Sequence, residues 1–149
     1  AVAGIFAVLL VTLRGIRPAL TVLTPLLLAG VVTGAATVVL GLPFNFANII
    51  ALPLLLGVSV DNGIHMVHRS RLAKPGEHSL LRTSTARAVV FSTLTTICSF
   101  GNLSFSPHPG TASMGQMLTV GILLALASTL LVLPALLALG THRQGRQGA

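Results

Sequence analysis

Apolar runs that are long enough to cross a lipid bilayer recur along this chain of 149 residues. A helix needs roughly 20 residues to cross the hydrocarbon core, so the chain has room for about five or six crossings. Hydrophobic residues make up 53% of the sequence and charged residues only 7%, which would leave a soluble domain without a polar surface. The sequence therefore predicts an integral membrane protein built from helices.

Turn-forming residues divide the chain into five apolar segments. Gly and Pro occur at 41–43, 75–76 and 107–110, between the segments. The first segment is too short to span a bilayer and is expected to be truncated. The predicted helices lie at 1–13, 18–40, 47–68, 85–106 and 113–139. We therefore expect an all-α, polytopic transmembrane helix bundle that forms a single domain, with a cytoplasmic loop at 69–84 and a cytoplasmic tail at 140–149.

The basic residues orient this predicted bundle. All nine Lys and Arg residues lie on one side of it, namely Arg14, Arg17, Arg69, Arg71, Lys74, Arg82, Arg87, Arg143 and Arg146. The opposite loops, 41–46 and 107–112, contain no Lys or Arg, so the positive-inside rule predicts a cytoplasmic C-terminus. The net charge of +7 is scattered over short loops without interleaved aromatic residues, which favours anionic lipid headgroups over nucleic acid as the partner.

Asp61 is one of only two acidic residues in the chain, and it lies inside the apolar run 47–67. A carboxylate near the middle of a membrane helix costs roughly 2.5 to 3.5 kcal/mol even on lenient insertion scales, so such residues usually have a use. We interpret Asp61 as an ion or proton site. The alternative is a structural acid that is bonded to Ser or Thr hydroxyls on a neighbouring helix.

The third segment carries a polar stripe through Asp61. Gly57, Asp61 and His65 are spaced four residues apart, and His68 lies three further on, so all four share one helix face. Histidine changes its charge near neutral pH, which makes this stripe a candidate proton route toward the cytoplasm. His68 is alternatively a headgroup-level residue. Asn62 points about 100° away, where it either orients the site or bonds across helices.

The fourth segment carries hydroxyl residues that could meet Asp61. Ser92, Thr96 and Ser99 are spaced i, i+4 and i+7 on one face, and Thr93 and Thr95 flank them. The alternative interpretation is strong, because Ser and Thr in membrane helices most often bond back to carbonyls of their own helix.

Two long runs carry a family resemblance. They are LPLLLGVSVDNGIHMVHR at 52–69 and TTICSFGNLSFSPHPGTASMGQMLTVG at 95–121. Together they resemble the C-terminal membrane half of the resistance-nodulation-division (RND) superfamily, and most closely its MMPL-type hopanoid transporters. The resemblance covers essentially the whole chain. It implies that the five segments are the eighth to twelfth of twelve membrane helices, and that the chain is a fragment without the N-terminal half and the two large periplasmic domains.

The resemblance also bears on the site. In the family, a G-x-x-x-D-Y type motif carries the proton-relay acid, and Gly57 and Asp61 match its glycine and its acid. Asn62 stands where the tyrosine is usual. Hydroxyl residues on the eleventh helix line the relay in relatives, which implies a role for the fourth segment here. The expected proton-relay residues are Asp61, Asn62, His65, Thr96 and Ser92, with Gly57 packing beside them.

The function implied by the resemblance is proton-motive-force-driven export of hopanoids or related lipids from the inner membrane toward the outer membrane. It implies a multi-pass protein of the bacterial inner membrane that is not an enzyme and that uses the proton gradient without a cofactor or metal. The expected partners are membrane lipids, a hopanoid-like substrate and the missing N-terminal half, and a homodimer of the full-length protein is one expected assembly.

Two other classes are alternatives. A non-transporting lipid sensor or scaffold of the sterol-sensing type would use a similar helix bundle. An intramembrane aspartyl protease needs a second membrane acid, whereas Glu77, the other acid, lies in the predicted cytoplasmic loop. A serine protease would need Ser59 beside a histidine, but Ser59 and His65 lie about 240° apart around the helix.

Overall fold

A computed structural model describes residues 2–42, 45–72 and 83–145 of the chain, with side chains for 3–42, 45–72 and 83–137. These residues form five α-helices, and the predicted all-α helix bundle is confirmed. The helices are α1 (Val2–Leu13), α2 (Ile16–Val39), α3 (Phe46–Arg71), α4 (Ser84–Leu103) and α5 (Pro109–Gly145). The turn predicted at 75–76 and most of the loop predicted at 69–84 lie outside the described residues.

Several helix ends differ from the predicted ones. Helix α3 continues to Arg71, and α4 ends at Leu103. Helix α5 begins at Pro109 rather than at 113, because proline fits the first helical position, where its missing N–H would have no partner in any case. The same helix continues to Gly145, so the first residues of the predicted tail at 140–149 are helical.

Three of the described helices are long and apolar enough to cross a membrane, namely Ile16–Val39, Phe46–Arg71 and Pro109–Leu137. Helix α1 has 12 residues and is shorter than a full crossing, as the sequence predicts. Helix α4 is not among the three, because a row of hydroxyl residues lowers its hydropathy. If α4 lies within the membrane, its polar side must therefore face protein or water rather than lipid.

Helix α5 lies at the centre of the bundle and packs against α2, α3 and α4. Two glycines permit this close packing. A Cβ atom on Gly121 would lie 2.7 Å from Leu55 Cδ2 of α3 and 3.0 Å from Thr33 Cγ2 of α2. A Cβ atom on Gly115 would lie 2.6 Å from the backbone nitrogen of Ser104, directly after α4. The absence of a side chain at these two positions lets α5 contact all three neighbours.

Hydrogen bonds define two ends of the bundle. At one end, Arg71 Nη2 donates to the carbonyl oxygen of Leu13 at 2.9 Å, which joins the end of α3 to the end of α1. We call this the basic end. At the other end, Asn45 Nδ2 donates to Ser113 Oγ at 2.6 Å, which joins the start of α3 to the first turns of α5. We call this the neutral end, since the loops 41–46 and 107–112 contain no Lys or Arg.

Candidate functional site

An open cavity lies between the basic-end halves of α3 and α4, with a volume of about 430 Å³. We call it the Asp61 cavity. Its lining residues are Asp61, Asn62, His65, Ser84, Thr85, Ala88, Val89 and Ser92. Four of the predicted relay residues, Asp61, Asn62, His65 and Ser92, therefore line one space, and the role of each in a relay stays a prediction.

Asp61 and His65 form the ionisable pair of the cavity. One helical turn brings His65 Nε2 to 3.5 Å from Asp61 Oδ1, close enough for an ion pair when the imidazole is protonated. The side chains are 74% exposed for Asp61 and 61% exposed for His65. Both groups can therefore exchange protons with water in the cavity, and they can pass a proton between them directly or through one water molecule.

Asn62 points away from this pair and bonds across to α4. Its Nδ2 donates to Thr93 Oγ1 at 3.1 Å, and Thr93 is only 2% exposed. This hydrogen bond joins the two helices that form the walls of the cavity. It holds α4 beside α3 at the level of Asp61.

Only part of the hydroxyl face of α4 lines the Asp61 cavity. Ser92 lines the cavity, whereas Thr96 does not, and Thr96 Oγ1 donates to the carbonyl oxygen of Ser92 at 2.9 Å. Ser99 Oγ likewise donates to the carbonyl oxygen of Thr95 at 2.9 Å. Bonds of Ser and Thr to their own helix thus occur on this face. A relay role for Thr96 stays a prediction.

Gly57 lies one turn before Asp61 on the same exposed face. No described atom comes within 4 Å of the position that a Cβ atom on Gly57 would occupy. No described residue packs closely against Gly57, so its predicted role in helix packing stays a prediction. The close approach on α3 occurs instead at Gly63, where a Cβ atom would lie 2.6 Å from Val22 Cγ1 of α2.

The residues that line the part of the cavity nearest the basic end were not among the predicted site residues. Ser84, Thr85 and Ala88 line that part. A signal for them was present, because 84, 88 and 92 are spaced four apart and therefore share the face of Ser92. The sequence places Thr93 only beside the hydroxyl face of α4, whereas in the structure it is the cross-helix partner of Asn62.

Two other chemistries find little support in this geometry. Ser59 is buried, and its Oγ donates to the carbonyl oxygen of Leu55 at 2.7 Å, so it does not meet His65 as a serine nucleophile would. Among the described residues, no group of three or more His, Cys, Asp or Glu side chains lies close enough together to hold a metal ion.

Comparison with known proteins places this arrangement in a family. The profile of the MMPL family matches residues 1–148. The chain belongs to the MMPL family. It is 46% identical over 142 residues to the hopanoid transporter HpnN of Rhodopseudomonas palustris, covering 95% of this chain and 16% of the relative. It is 43% identical over 134 residues to the hopanoid transporter HpnN of Burkholderia multivorans, covering 90% of this chain and 15% of the relative.

A more distant relative is a putative membrane protein of Methanocaldococcus jannaschii, 31% identical over 144 residues, which covers 91% of this chain and 37% of the relative. The chain thus spans only 15 to 16% of the length of the two hopanoid transporters that it matches. The predicted resemblance to the MMPL-type hopanoid transporters of the RND superfamily is confirmed. With its three long apolar helices, the chain is a transmembrane protein of a transporter family.

Proposed function

We propose that this chain is one part of a longer transporter, which uses the proton-motive force to export hopanoids or related lipids from the inner membrane toward the outer membrane. Membership of the MMPL family and the two relatives named as hopanoid transporters support the substrate class. The observation that carries the energy coupling is the pairing of Asp61 with His65 at 3.5 Å in an open cavity on a membrane helix.

The coupling follows from the charge of Asp61. When a proton binds, the carboxylate becomes neutral, and the cost of enclosing it in a medium of low dielectric falls sharply. The neutral form therefore favours a closed arrangement of the surrounding helices, and the charged form favours a hydrated one. His65 receives the proton from Asp61 and releases it to water toward the basic end. Each proton that passes thus shifts the balance between two conformations.

The other predicted residues support this step. Asn62 holds α3 and α4 together through Thr93, and the hydroxyl of Ser92 donates to the carboxylate in the hydrated form. Thr96 extends the row of hydroxyls, and Gly57 receives a segment of the longer protein that closes the cavity. The proposal needs no cofactor or metal, because the gradient supplies the energy.

The proposed setting is the bacterial inner membrane, with the basic end and the C-terminus in the cytoplasm. The proposed partners are the remaining part of the transporter and the surrounding lipids. A second copy of the full-length protein completes a homodimer.

Replacing the carboxylate tests the proposal. In the full-length protein, reconstituted in vesicles under a pH gradient, Asp61→Asn should abolish the gradient-driven movement of a labelled hopanoid, because the amide keeps the shape but takes up no proton. Ser59→Ala is the matched control on the same helix, since Ser59 Oγ bonds only to its own helix and lies away from the cavity. Its transport should stay near the wild-type rate.

Unchanged export by Asp61→Asn, with normal membrane insertion, would contradict proton coupling at this site. A different result would support a lipid sensor of the sterol-sensing type. In that case the protein binds hopanoid tightly, but the hopanoid is not transported and its binding does not depend on the pH gradient. Asp61→Asn and Ser59→Ala are compared at equal amounts of protein in the vesicles, so that a difference in transport reflects the substitution.

A further inference from the structure

Three arginines gather at the basic end of the bundle, where α1, α2 and α3 pack against one another. Arg14 lies in the turn between α1 and α2, Arg17 lies in the first turn of α2, and Arg71 is the last residue of α3. All three side chains are exposed. We call these three residues the arginine cluster.

A hydrogen bond brings Arg71 to the turn that carries the other two arginines. Its Nη2 donates to the carbonyl oxygen of Leu13 at 2.9 Å, and this carbonyl belongs to the peptide bond that joins Leu13 to Arg14. A guanidinium group has five N–H donors, and this bond uses one of them. The Arg71 guanidinium therefore lies beside the backbone of the turn and has further donors to offer to a ligand.

The arginine cluster has no carboxylate beside it among the described residues. Asp61 is the only acidic residue that the structure describes, and it lies ten residues, or about 15 Å of helix, before Arg71. The whole chain has nine basic residues and two acidic ones, so the other acid, Glu77, neutralises at most one of the three charges. Like charges repel more strongly where the dielectric constant is low, as at the edge of a membrane. An anion between these guanidinium groups would relieve that repulsion.

The backbone of Arg14 has a conformation that is unfavourable for a residue with a side chain. Its φ is 49°, and it is the one residue other than glycine with a positive φ in the part of the chain that the structure describes. Glycine adopts this conformation without strain, whereas the Cβ atom of another residue comes too close to the following carbonyl oxygen. Arginine here costs stability, which is expected where its charge has a use.

An exposed apolar face of α2 begins beside the arginine cluster. Leu20, Leu27 and Leu28 are 44 to 48% exposed, and at 100° per residue they lie within about 100° of arc that includes Arg17. Thr24 lies on the same face, and its Oγ1 donates to the carbonyl oxygen of Leu20 within the helix. From Arg17 to Leu28 the face extends about 17 Å along the helix, which is about half of the hydrocarbon core and thus the depth of one leaflet.

We propose that the arginine cluster binds the phosphate headgroup of an anionic phospholipid, and that the acyl chains of this lipid lie along the exposed apolar face of α2. Charge favours this occupant, because arginine binds phosphate oxygens through paired N–H donors. The apolar face favours a lipid over free phosphate, because a small anion would leave that face uncovered. The bound lipid is not the transported substrate, so the proposal does not depend on proton coupling at Asp61.

Lipid binding to the purified full-length protein tests the site. Dioleoylphosphatidylglycerol is titrated into the protein in micelles of a neutral detergent, and native mass spectrometry measures the bound lipid. Dioleoylphosphatidylcholine, which has no net charge, is the control lipid. We expect the wild type to bind phosphatidylglycerol at least about tenfold more tightly, because three basic residues attract it. An excess of inorganic phosphate should not release the phosphatidylglycerol, because the acyl chains contribute to its binding.

Substitutions locate the site. Arg14→Gly and Arg17→Gln should each lower the affinity for phosphatidylglycerol about fivefold, the effect of one basic residue at an anionic membrane surface, and should leave that for phosphatidylcholine unchanged. Arg17→Lys keeps the charge and should bind more tightly than Arg17→Gln. Arg87→Gln is the matched control, because Arg87 is also exposed but lies on α4, which packs against α3 and α5. It should keep the wild-type affinity.

Arg14→Gly also separates lipid binding from folding. Glycine adopts a φ of 49° without strain, so in phosphatidylcholine the variant should unfold at a temperature no lower than that of the wild type. Added phosphatidylglycerol should raise the unfolding temperature of the wild type more than that of Arg14→Gly, because a ligand stabilises the state that binds it.

Three results would overturn the proposal. Equal affinities of the wild type for the two lipids would mean that another segment of the longer protein supplies the anion. Equal losses for Arg14→Gly and Arg87→Gln would mean that the attraction is spread over the whole basic end. Release of phosphatidylglycerol by inorganic phosphate would indicate a site for small anions. None of these results bears on the transport by Asp61→Asn, which tests proton coupling separately.

Discussion

The exposure of Asp61 indicates what its surroundings in the membrane must supply. A carboxyl group that is 74% exposed lies on a helix that is apolar enough to cross a membrane, where a polar group of this kind is costly against lipid tails. Among the residues that the structure describes, His65 pairs with it, and Ser92 lines the same cavity. In the membrane, the remaining solvation must come from water and from polar groups of another segment. We therefore expect Asp61 to lie on a surface that meets another part of a longer protein.

The hydrogen bond between Asn62 and Thr93 should stabilise the cavity walls. We expect Thr93→Val to lower the free energy of unfolding by about 0.6 kcal/mol, the average for hydrogen bonds between membrane helices, and by at most about 1.7 kcal/mol, because valine keeps the shape but removes the acceptor. Thermal unfolding of the full-length protein in detergent measures the change. Thr95→Val is the matched control on the same helix and should cost less than about 0.5 kcal/mol, since its hydroxyl is exposed.

A double-mutant cycle gives this prediction a sharper form. The effects of Asn62→Leu and Thr93→Val on the free energy of unfolding should be non-additive, because either substitution alone removes the same hydrogen bond. Additive effects, or equal losses for Thr93→Val and Thr95→Val, would mean that Asn62 does not hold α4.

At the scale of the helices, glycine determines how closely α5 approaches its neighbours. Gly115 meets the backbone just after α4, and Gly121 meets side chains of α2 and α3. Small residues commonly allow such close packing in membranes, where the hydrophobic effect does not drive helices together. The position of α4, and with it the Asp61 cavity, therefore depends on a contact near the neutral end.

Gly115→Ala should disturb this packing. Its new Cβ atom would lie 2.6 Å from Ser104 N and 2.8 Å from Leu103 C, and backbone atoms cannot rotate away as a side chain does. We expect a loss of about 1 to 3 kcal/mol from overpacking. Gly101→Ala is the matched control in α4, since its Cβ atom would lie at an ordinary 3.6 Å from Thr119 Oγ1.

Gly101→Ala should be neutral or stabilising by up to about 1 kcal/mol, because alanine favours the helix. Thermal unfolding of the two variants, side by side, measures the difference. Equal stability of Gly115→Ala and Gly101→Ala would contradict a close contact of Gly115 with the backbone at the end of α4.

The helices could be predicted from the sequence because local properties, namely apolar runs and the breakers between them, determine where they lie. The apolar runs and the breakers gave five helices, although Pro109 begins α5 instead of preceding it. Spacing by four likewise predicted that Asp61 and His65 share a face. The pairing of Asn62 with Thr93 was not predictable, because it depends on how α3 crosses α4, and that crossing depends on packing of both helices against α5.

Thr96 illustrates the same limit within a single helix. Its spacing from Ser92 predicts a shared face, but its hydroxyl donates to a carbonyl of its own helix rather than to the site. Local competition of this kind is general for Ser and Thr, and spacing alone does not resolve it.

For the whole molecule, the distribution of charge and the hydrogen bonds agree on which helix ends lie together. The bond from Arg71 to the carbonyl oxygen of Leu13 brings two groups of basic residues to one end of the bundle. One group follows α1, and the other lies at the end of α3. The bond from Asn45 to Ser113 joins the start of α3 to the first turns of α5 at the other end, where the loops 41–46 and 107–112 contain no Lys or Arg. In the proposed relay, a proton passes from Asp61 through His65 toward the basic end, which is the direction that an inward proton gradient requires if the basic end is cytoplasmic.

This orientation is itself testable. Short basic loops favour the cytoplasmic side, so we expect the basic end to be cytoplasmic. In the full-length protein, alkaline phosphatase fused after Ser106 should be active, because that enzyme matures only outside the cytoplasm, and a fluorescent protein fused after Gly145 should fluoresce. A fusion after Leu72, beside the end of α3, is the internal control and must behave like the one after Gly145. The reverse pattern would place the neutral end in the cytoplasm, and a proton that passes from Asp61 through His65 toward the basic end would then move against the gradient.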